Sequence, residues 1–242
     1  MKRATLLTIG LLLLTSVFIS CSGGTSNKIK FLESIQSEDG TMRVFKYDKQ
    51  NRIEEIHKLR DGQIIEMQKL NYEENELTKL HHYVGDTLDH FYAFEREGGT
   101  ITVSYNSDMY DEYTVAVLKV NAENLLIEDN NEHGFDAYHY TDGNMTKVTG
   151  FNTDFDGERS DFVFEFEYDD KPSPFASGST PDWVIQHFFG VFYIKNNIIK
   201  ARSAQFGGQE ISYEYEYNKD GFPIKQTFIS ENSTATTTYS YK

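Results

Sequence analysis

Long stretches of the chain alternate between apolar and polar residues with a period of two. Segment 162–168 carries Phe or Tyr at every even position, and glutamate at positions 165 and 167. Segments 101–105 and 213–217 alternate in the same way. Because successive side chains of a β-strand point to opposite faces of the sheet, this pattern predicts strands with one packed face and one face in water.

A tyrosine or equivalent strand end followed by a polar turn recurs along the chain. The clearest copies are 47–53, 72–77, 140–145, 193–198 and 217–222, and weaker ones fall at 98–99, 121–124 and 169–171. Their turn centres, at positions 51, 75, 98, 124, 144, 171, 197 and 221, are spaced by about 24 residues, the length of two strands and two turns. Between them lie further turn sequences, at 61–62, 85–86, 107–108, 133–134, 156–157 and 207–208.

This repeat predicts an all-β fold, an up-and-down antiparallel meander of about 16 strands. Since so many strands do not stay in an open twisted sheet, we expect a closed or strongly curled barrel. One segment, 180–190, has a different pattern: Thr180 fits an N-cap, Pro181 the first helical position and Gly190 the C-terminal stop. It predicts a short helix or lid.

The N-terminus has the three zones of an export signal. Lys2 and Arg3 precede an apolar run from Leu6 to Phe18, which at about 13 residues is shorter than the roughly 20 that a membrane-spanning helix needs. Cys21 follows, the only cysteine of the chain. We therefore predict a removed lipoprotein signal peptide at 1–20, a lipidated flexible tether at 21–28 and one β-domain at 29–242. Cleavage that leaves a free thiol is the alternative.

Net charge and polarity limit the classes of partner that the chain is expected to bind. Removal of residues 1–20 takes two of the 23 Lys and Arg and none of the 38 Asp and Glu, which leaves a formal net charge of −17. Such an acidic chain is not expected to bind nucleic acid or an anionic lipid surface. Several strands are too polar for a lipid-facing wall, as in 52–59, so a water-exposed barrel held by acyl chains such as palmitate is favoured over a transmembrane one.

These features together resemble a known family. The lipobox-like segment 18–21 and the segments 45–53, 166–175 and 215–224 resemble a family of Bacteroidota lipoproteins of unknown function described as having a porin-like fold. Ser173 stands where that family usually has asparagine. The tyrosine-aspartate turns also resemble, more distantly, the repeats of Rhs-type shells. The family resemblance implies an outer-membrane lipoprotein, and the lack of acidic residues in 22–27 favours its periplasmic face over the cell surface.

One loop has the residue types of a calcium site. Asn152, Asp154, Asp156 and Glu158 place oxygen atoms at alternate positions around Gly157, as in the first half of an EF-hand loop. Val163 stands where the bidentate glutamate of such a loop belongs. A plain polar hairpin tip explains the same residues, so no cofactor is predicted and calcium stays the alternative.

Other sites rest on less specific features. Trp183, Phe188 and Phe189 lie in the predicted helix, where they either pack into the barrel end or contact a ligand. Thr87 resembles a short O-glycosylation signal. The seven histidines are expected on strand surfaces, and only His133 and His139, which flank one turn, are considered as a metal pair.

No residue pattern predicts catalysis, because the chain has no nucleophile elbow and no phosphate loop. We expect a non-enzymatic, lipid-anchored envelope protein that binds a small molecule, a glycan or a partner protein. The alternatives are a calcium-dependent hydrolase and a purely structural or assembly lipoprotein.

Overall fold

The computed structural model describes residues 30–190, 195–203, 208 and 210–242. These residues form sixteen antiparallel strands and one helix. The strands are β1 (Leu32–Ser37), β2 (Met42–Tyr47), β3 (Ile53–Arg60), β4 (Gln63–Glu73), β5 (Glu76–Val84), β6 (Thr87–Glu97), β7 (Thr100–Ser107), β8 (Tyr110–Val120), β9 (Leu126–Asn131), β10 (Gly134–Thr141), β11 (Asn144–Thr153), β12 (Arg159–Pro172), β13 (Asn196–Ser203), β14 (Glu210–Tyr217), β15 (Pro223–Ile229) and β16 (Thr234–Tyr241). Helix α1 (Asp182–Phe189) lies between β12 and β13.

Each strand pairs with its neighbours in sequence, and β1 pairs with β16, with Ile35 opposite Tyr239. The predicted meander is therefore a closed barrel, and closure leaves none of the sixteen strands with an unpaired edge. Two of the short turns carry positive φ at both central residues, Asp61-Gly62 and Asp142-Gly143. This is the type I′ geometry that matches the twist of a two-residue hairpin.

The two ends of the barrel differ. The end where β1 begins and β16 ends, here called the termini end, also holds the long connection between β12 and β13. Most of the buried apolar side chains lie near it, among them Leu32, Leu118 and Leu126. At the opposite, far end the strands are joined by short turns, and the lumen-facing Tyr113 is 44% exposed. The lumen is thus filled at the termini end and reaches solvent at the far end.

Two details of the prediction were wrong. Pro181, not Thr180, is the N-cap of α1, and the hydroxyl of Thr180 instead accepts a hydrogen bond from Ile53 N at 2.7 Å. Position 197 is not a turn: Asn197 lies in β13, fully buried, with its amide hydrogen-bonded to Asp169. Pro172, the last residue of β12, pairs with Asn196, the first residue of β13. Positions 171 and 197 are the neighbours of this pair inside the two strands, where the long connection leaves and rejoins the barrel wall.

Gly190 ends the helix as predicted, with φ 61 and its backbone N–H on Ile185 O. α1 is the single helix of the described residues, and it is not long or apolar enough to span a membrane.

Candidate functional site

The connection after β12 folds back into the lumen. We call its described part, residues 173–190, the plug. Ser179 donates a backbone hydrogen bond to Asn51 O at 2.9 Å, and the Phe175 ring meets the Phe45 ring edge-on, with centroids 5.8 Å apart. The plug is therefore tied to the turn between β2 and β3 before its helix begins.

Three side chains fix α1 against the opposite wall. Gln186 accepts a hydrogen bond from Leu126 N at 3.2 Å and donates one to the Tyr140 hydroxyl at 2.8 Å. His187 Nδ1 lies 2.6 Å from a carboxylate oxygen of the buried Asp129. Trp183, 1% exposed, packs edge-on against Phe94. The segment expected as a helix or lid is thus a helix inside the barrel end, where polar contacts with β9 and β10 hold it.

A cavity of about 130 Å³ remains between the plug and the wall formed by β1 to β4. Its lining combines an apolar floor with a polar rim that lies nearer the far end. The lining residues are Ile35, Arg43, Phe45, Ile56, Lys58, Glu66, Gln68, Phe175, Phe188 and Phe189.

The rim carries a net positive charge. Lys58 and Glu66 form an ion pair at 2.6 Å, and the Lys58 ammonium holds the pKa of the Glu66 carboxyl below its ordinary value against partial burial. Arg43, across the cavity on β2, forms no ion pair with any described residue. With Lys58 neutralised by Glu66, the Arg43 guanidinium is the group available to an anion.

A second cluster lies next to this rim on β5 and β6. His82 and His90 are directly paired across the two strands, with ring centroids 4.7 Å apart. Asp89 Oδ2 is 2.7 Å from His90 Nδ1 and 3.6 Å from His82 Nδ1, and Glu66 lies 3.7 Å from His82 Nε2. Cavity and histidine cluster therefore share Glu66.

The three aromatic residues of the predicted helix have different surroundings. Trp183 is buried where the plug meets the barrel wall, whereas Phe188 and Phe189 line the cavity. Phe188 also contacts Tyr92 and Phe94. A ligand in the cavity would touch the two phenylalanines, whereas Trp183 packs against Phe94 outside the cavity lining.

The predicted calcium residues lie exposed at the turn between β11 and β12. Asp154 Oδ1 accepts hydrogen bonds from the backbone N–H groups of Asp156 and Glu158, at 3.0 and 2.8 Å. Asp48, Asn121 and Asn218 close other turns in the same way, with bonds to the second and fourth residues after them; these bonds run from Gln50, Arg52, Glu123, Leu125, Asp220 and Phe222. Asparagine closes two of these turns as aspartate closes the others, so the role does not need a negative charge. The position of Asp154 is therefore explained by turn closure without a calcium ion. Asn152 stands at the end of β11, opposite Gly134 and Ser160.

Thr87 is exposed at the first position of β6, beside the turn at Gly85 and Asp86. Cys21, the signal peptide and the tether lie outside the described residues. His133 and His139 are both exposed. Among the described residues, the one group of three His, Cys, Asp or Glu side chains whose ligand atoms lie within 4.8 Å of one another is His82, Asp89 and His90.

Sequence reasoning missed Arg43, Glu66 and the histidine cluster. A two-residue turn at 85–86 would pair His82 with Asp89, but β6 has one extra residue there and His82 instead faces His90. Such a bulge has no simple sequence signal. His82 and His90 lie at nearly equal distances from the turn in sequence, and this spacing could have indicated that they lie close together across the hairpin.

Comparisons with known proteins concern the fold. The chain is similar to a porin-like protein from Bacteroides vulgatus ATCC 8482, with 9% identity, a TM-score of 0.47, and coverage of 88% of this chain and 99% of that chain. It is also similar to a porin-like protein from Bacteroides uniformis ATCC 8492, with 9% identity, a TM-score of 0.46, and coverage of 88% and 95%. No family model matches the chain, and neither does any curated protein.

Proposed function

We propose that this protein is a lipid-anchored, non-catalytic binding module of the cell envelope, whose lumen holds a small ligand with an acidic group and an apolar or aromatic body. The observation that carries the proposal is the cavity above the plug. Its floor is formed by apolar side chains that include Phe45 and Phe189, and its rim carries Arg43, which has no ion-pair partner among the described residues.

The chemistry of the lining favours this ligand class. Arg43 is itself exposed, and a carboxylate bound to it would gain charge-assisted hydrogen bonds that strengthen as the ligand covers the guanidinium. The body of the ligand would cover the aromatic floor and remove it from water. Glu66, paired with Lys58 on the same rim, disfavours a second acidic group beside the first.

The outer wall supports a barrel that stands in water. Cross-strand ion pairs join Lys46 to Glu55 at 2.8 Å and Lys225 to Glu216 at 2.8 Å. These residues alternate with the lumen-facing ones along their strands. Charges of this kind are costly on a lipid-facing wall, so we place the protein at the membrane by its acyl chains alone.

The direction of the barrel follows from the tether. Residue 31 is hydrogen-bonded to Lys242 at the termini end, so a lipidated Cys21 would hold the plugged end toward the membrane. The far end, where the lumen meets solvent, would face away. A ligand would then enter from the aqueous side.

The test uses the single tryptophan of the chain as reporter. Trp183 lies in the same short helix as Phe188, one of the lining residues, so binding in the cavity should change its fluorescence. We expect the chain from residue 22 onward to bind phenylacetate saturably, with a Kd below about 1 mM. The neutral phenylacetamide should bind at least tenfold more weakly, as should phenylacetate to Arg43→Gln, because each change removes the charge contact.

Arg60→Gln is the matched control, since Arg60 is an exposed arginine of β3 that does not line the cavity. Its affinity should equal that of the unmodified chain. Equal binding of the acid and the amide, or full binding by Arg43→Gln, would contradict the proposed anion site. An absence of saturable binding by any aromatic acid would instead favour a filled, structural barrel.

A further inference from the structure

The histidine cluster owes its shape to a β-bulge. His82 pairs with His90 and Tyr83 pairs with Leu88, so Asp89 is an extra residue on β6. A bulge turns the side chain of its extra residue toward that of the next one. Asp89 consequently reaches the same side of the sheet as His90, where regular alternation would have turned it away.

The histidine rings are already held in place. The His90 ring is stacked between His82 and Tyr105, with centroids 4.7 and 5.1 Å away, and it meets Tyr92 edge-on. The His82 Nδ1 atom is buried and has no hydrogen-bond partner within the described part of the chain. An unsatisfied buried nitrogen costs free energy unless something occupies it, and a carboxylate oxygen at 3.6 Å is too distant to do so.

We propose that His82, Asp89 and His90 bind one divalent transition-metal ion, with Zn²⁺ the expected one. Two imidazole nitrogens and one carboxylate oxygen are a donor set that Zn²⁺ accepts and that Ca²⁺ and Mg²⁺ do not prefer. Ligand atoms of a tetrahedral zinc site lie about 3.3 Å apart, given bonds of about 2.0 Å. The His82–Asp89 distance of 3.6 Å is near that value, and the 2.7 Å between Asp89 and His90 has to open. The stacked His82 and His90 rings, whose planes are 25° apart, have to tilt further so that both nitrogens point at one ion.

Asp89 can make that adjustment because its side chain is 54% exposed. The fourth position of the metal would face the lumen and take water or a ligand atom. The ion would also satisfy the buried His82 nitrogen.

Glu66 supplies the outer support that metal-bound histidines usually have. When His82 binds through Nδ1, its Nε2 carries the proton, and Glu66 Oε2 lies 3.7 Å from that nitrogen. A small ring rotation closes this contact to a hydrogen bond, which would fix the tautomer. Lys58 holds Glu66 in turn. Glu66 is thus a positioning residue for the metal.

The experiment titrates the chain from residue 22 onward, stripped with EDTA, with ZnCl₂ in competition with a chromogenic chelator. We expect one equivalent bound with a Kd of micromolar or tighter, and no displacement by millimolar Ca²⁺. Asp89→Asn and His90→Gln should each weaken binding by more than about 100-fold, and Glu66→Gln by about 10- to 100-fold. His139→Gln, at an exposed position of β10, should leave the affinity unchanged.

Far-UV circular dichroism of the metal-free variants separates lost ligands from lost folding. Asp89 is half exposed, so Asp89→Asn should fold normally even where His90→Gln, which removes a stacked ring, does not. Co²⁺ substitution adds a second readout, a tetrahedral absorption band that Asp89→Asn abolishes. Zinc binding weaker than about 1 mM, or unchanged binding by a folded Asp89→Asn, would overturn the proposal.

Discussion

At the scale of single residues, the recurring tyrosines fasten neighbouring hairpins together at the termini end. Six of them donate a hydroxyl hydrogen bond of 2.5–3.0 Å to a backbone carbonyl near the start of the preceding strand. The pairs are Tyr47 to Leu32, Tyr72 to Ile53, Tyr140 to Leu126, Tyr168 to Met145, Tyr215 to Ile198 and Tyr241 to Pro223. Three of these donors, Tyr47, Tyr72 and Tyr140, are tyrosines of the recurring sequence motif, so the motif has a direct structural role there; Tyr217 of another copy instead donates to Asp169.

Tyr72→Phe tests that role. It removes the 3.0 Å bond to Ile53 O, while the ring that Arg52 covers at 4.1 Å is kept. We expect the free energy of unfolding to fall by about 1–2 kcal/mol in urea titrations. Tyr83→Phe is the control, because the Tyr83 hydroxyl makes no hydrogen bond among the described residues and its loss should change stability by less than about 0.5 kcal/mol. Equal effects of the two variants would refute the role.

At the scale of elements, the plug takes over where the tyrosine bonds are missing. In place of a bonded tyrosine, β6 has the buried Phe94 near the termini end, and β8 has Ala116, Leu118 and Val120. Phe94 packs against Trp183 and Phe188 of the plug. One short helix thus completes the core on the side where two hairpins have no tyrosine bond, and its other side forms the floor of the cavity.

The stability of the plug should depend on pH through Asp182. Burial raises the pKa of this carboxyl, in the first turn of α1, from 3.8 to about 6. The folded state therefore binds the proton more tightly than the unfolded chain does, so the contribution of Asp182 is most favourable below about pH 4 and is lost as the pH rises through 6.

Asp182→Asn should accordingly raise the melting temperature at pH 7.5 by about 2 to 6 °C, from roughly 1–2 kcal/mol of relieved desolvation. The gain should fall to about half of that value at pH 5 and approach zero only below about pH 4. Asp170→Asn, at a carboxylate whose side chain is 86% exposed, serves as control and should show no such pH-dependent gain. A gain for Asp182→Asn that is the same at both pH values would contradict the assignment.

Strands and the helix could be predicted from the sequence where neighbouring residues form a pattern, but contacts between segments far apart in the sequence could not. The period-two alternation of 162–168 predicts β12, and the proline and glycine at 181 and 190 predict the limits of α1. That α1 enters the lumen depends on Gln186 meeting Leu126 and Tyr140, partners 60 and 46 residues away. The turn at 197 was mistaken because the two asparagines typical of a turn have other roles there: Asn197 binds Asp169, and Asn196 binds Asn144.

At the scale of the whole molecule, the barrel has a polar outer wall and a plugged end, next to which the predicted tether would begin. Its lumen opens on the opposite side. Ion pairs on the outer wall disfavour its contact with lipid, so under the proposed function the lipid on Cys21 would supply the attachment. Two saturated acyl chains or more are sufficient for stable anchoring.

Replacing residues 1–21 with a cleavable export signal that lacks the cysteine tests this attachment. We expect the barrel to move from the membrane pellet to the soluble fraction with its melting temperature unchanged. Thr25→Ala in the native precursor should remain in the pellet. A barrel that stays membrane-bound without Cys21 would show that its wall or one of its ends contacts lipid directly.

The most direct measurement for the central claim is a crystal structure of the barrel with the tightest-binding aromatic acid of the titrations. We expect the carboxylate about 3 Å from the Arg43 guanidinium and the ring against Phe188 and Phe189, above the plug. A binder located on the outer wall or at the far-end turns, with the cavity above the plug filled by protein side chains, would contradict it.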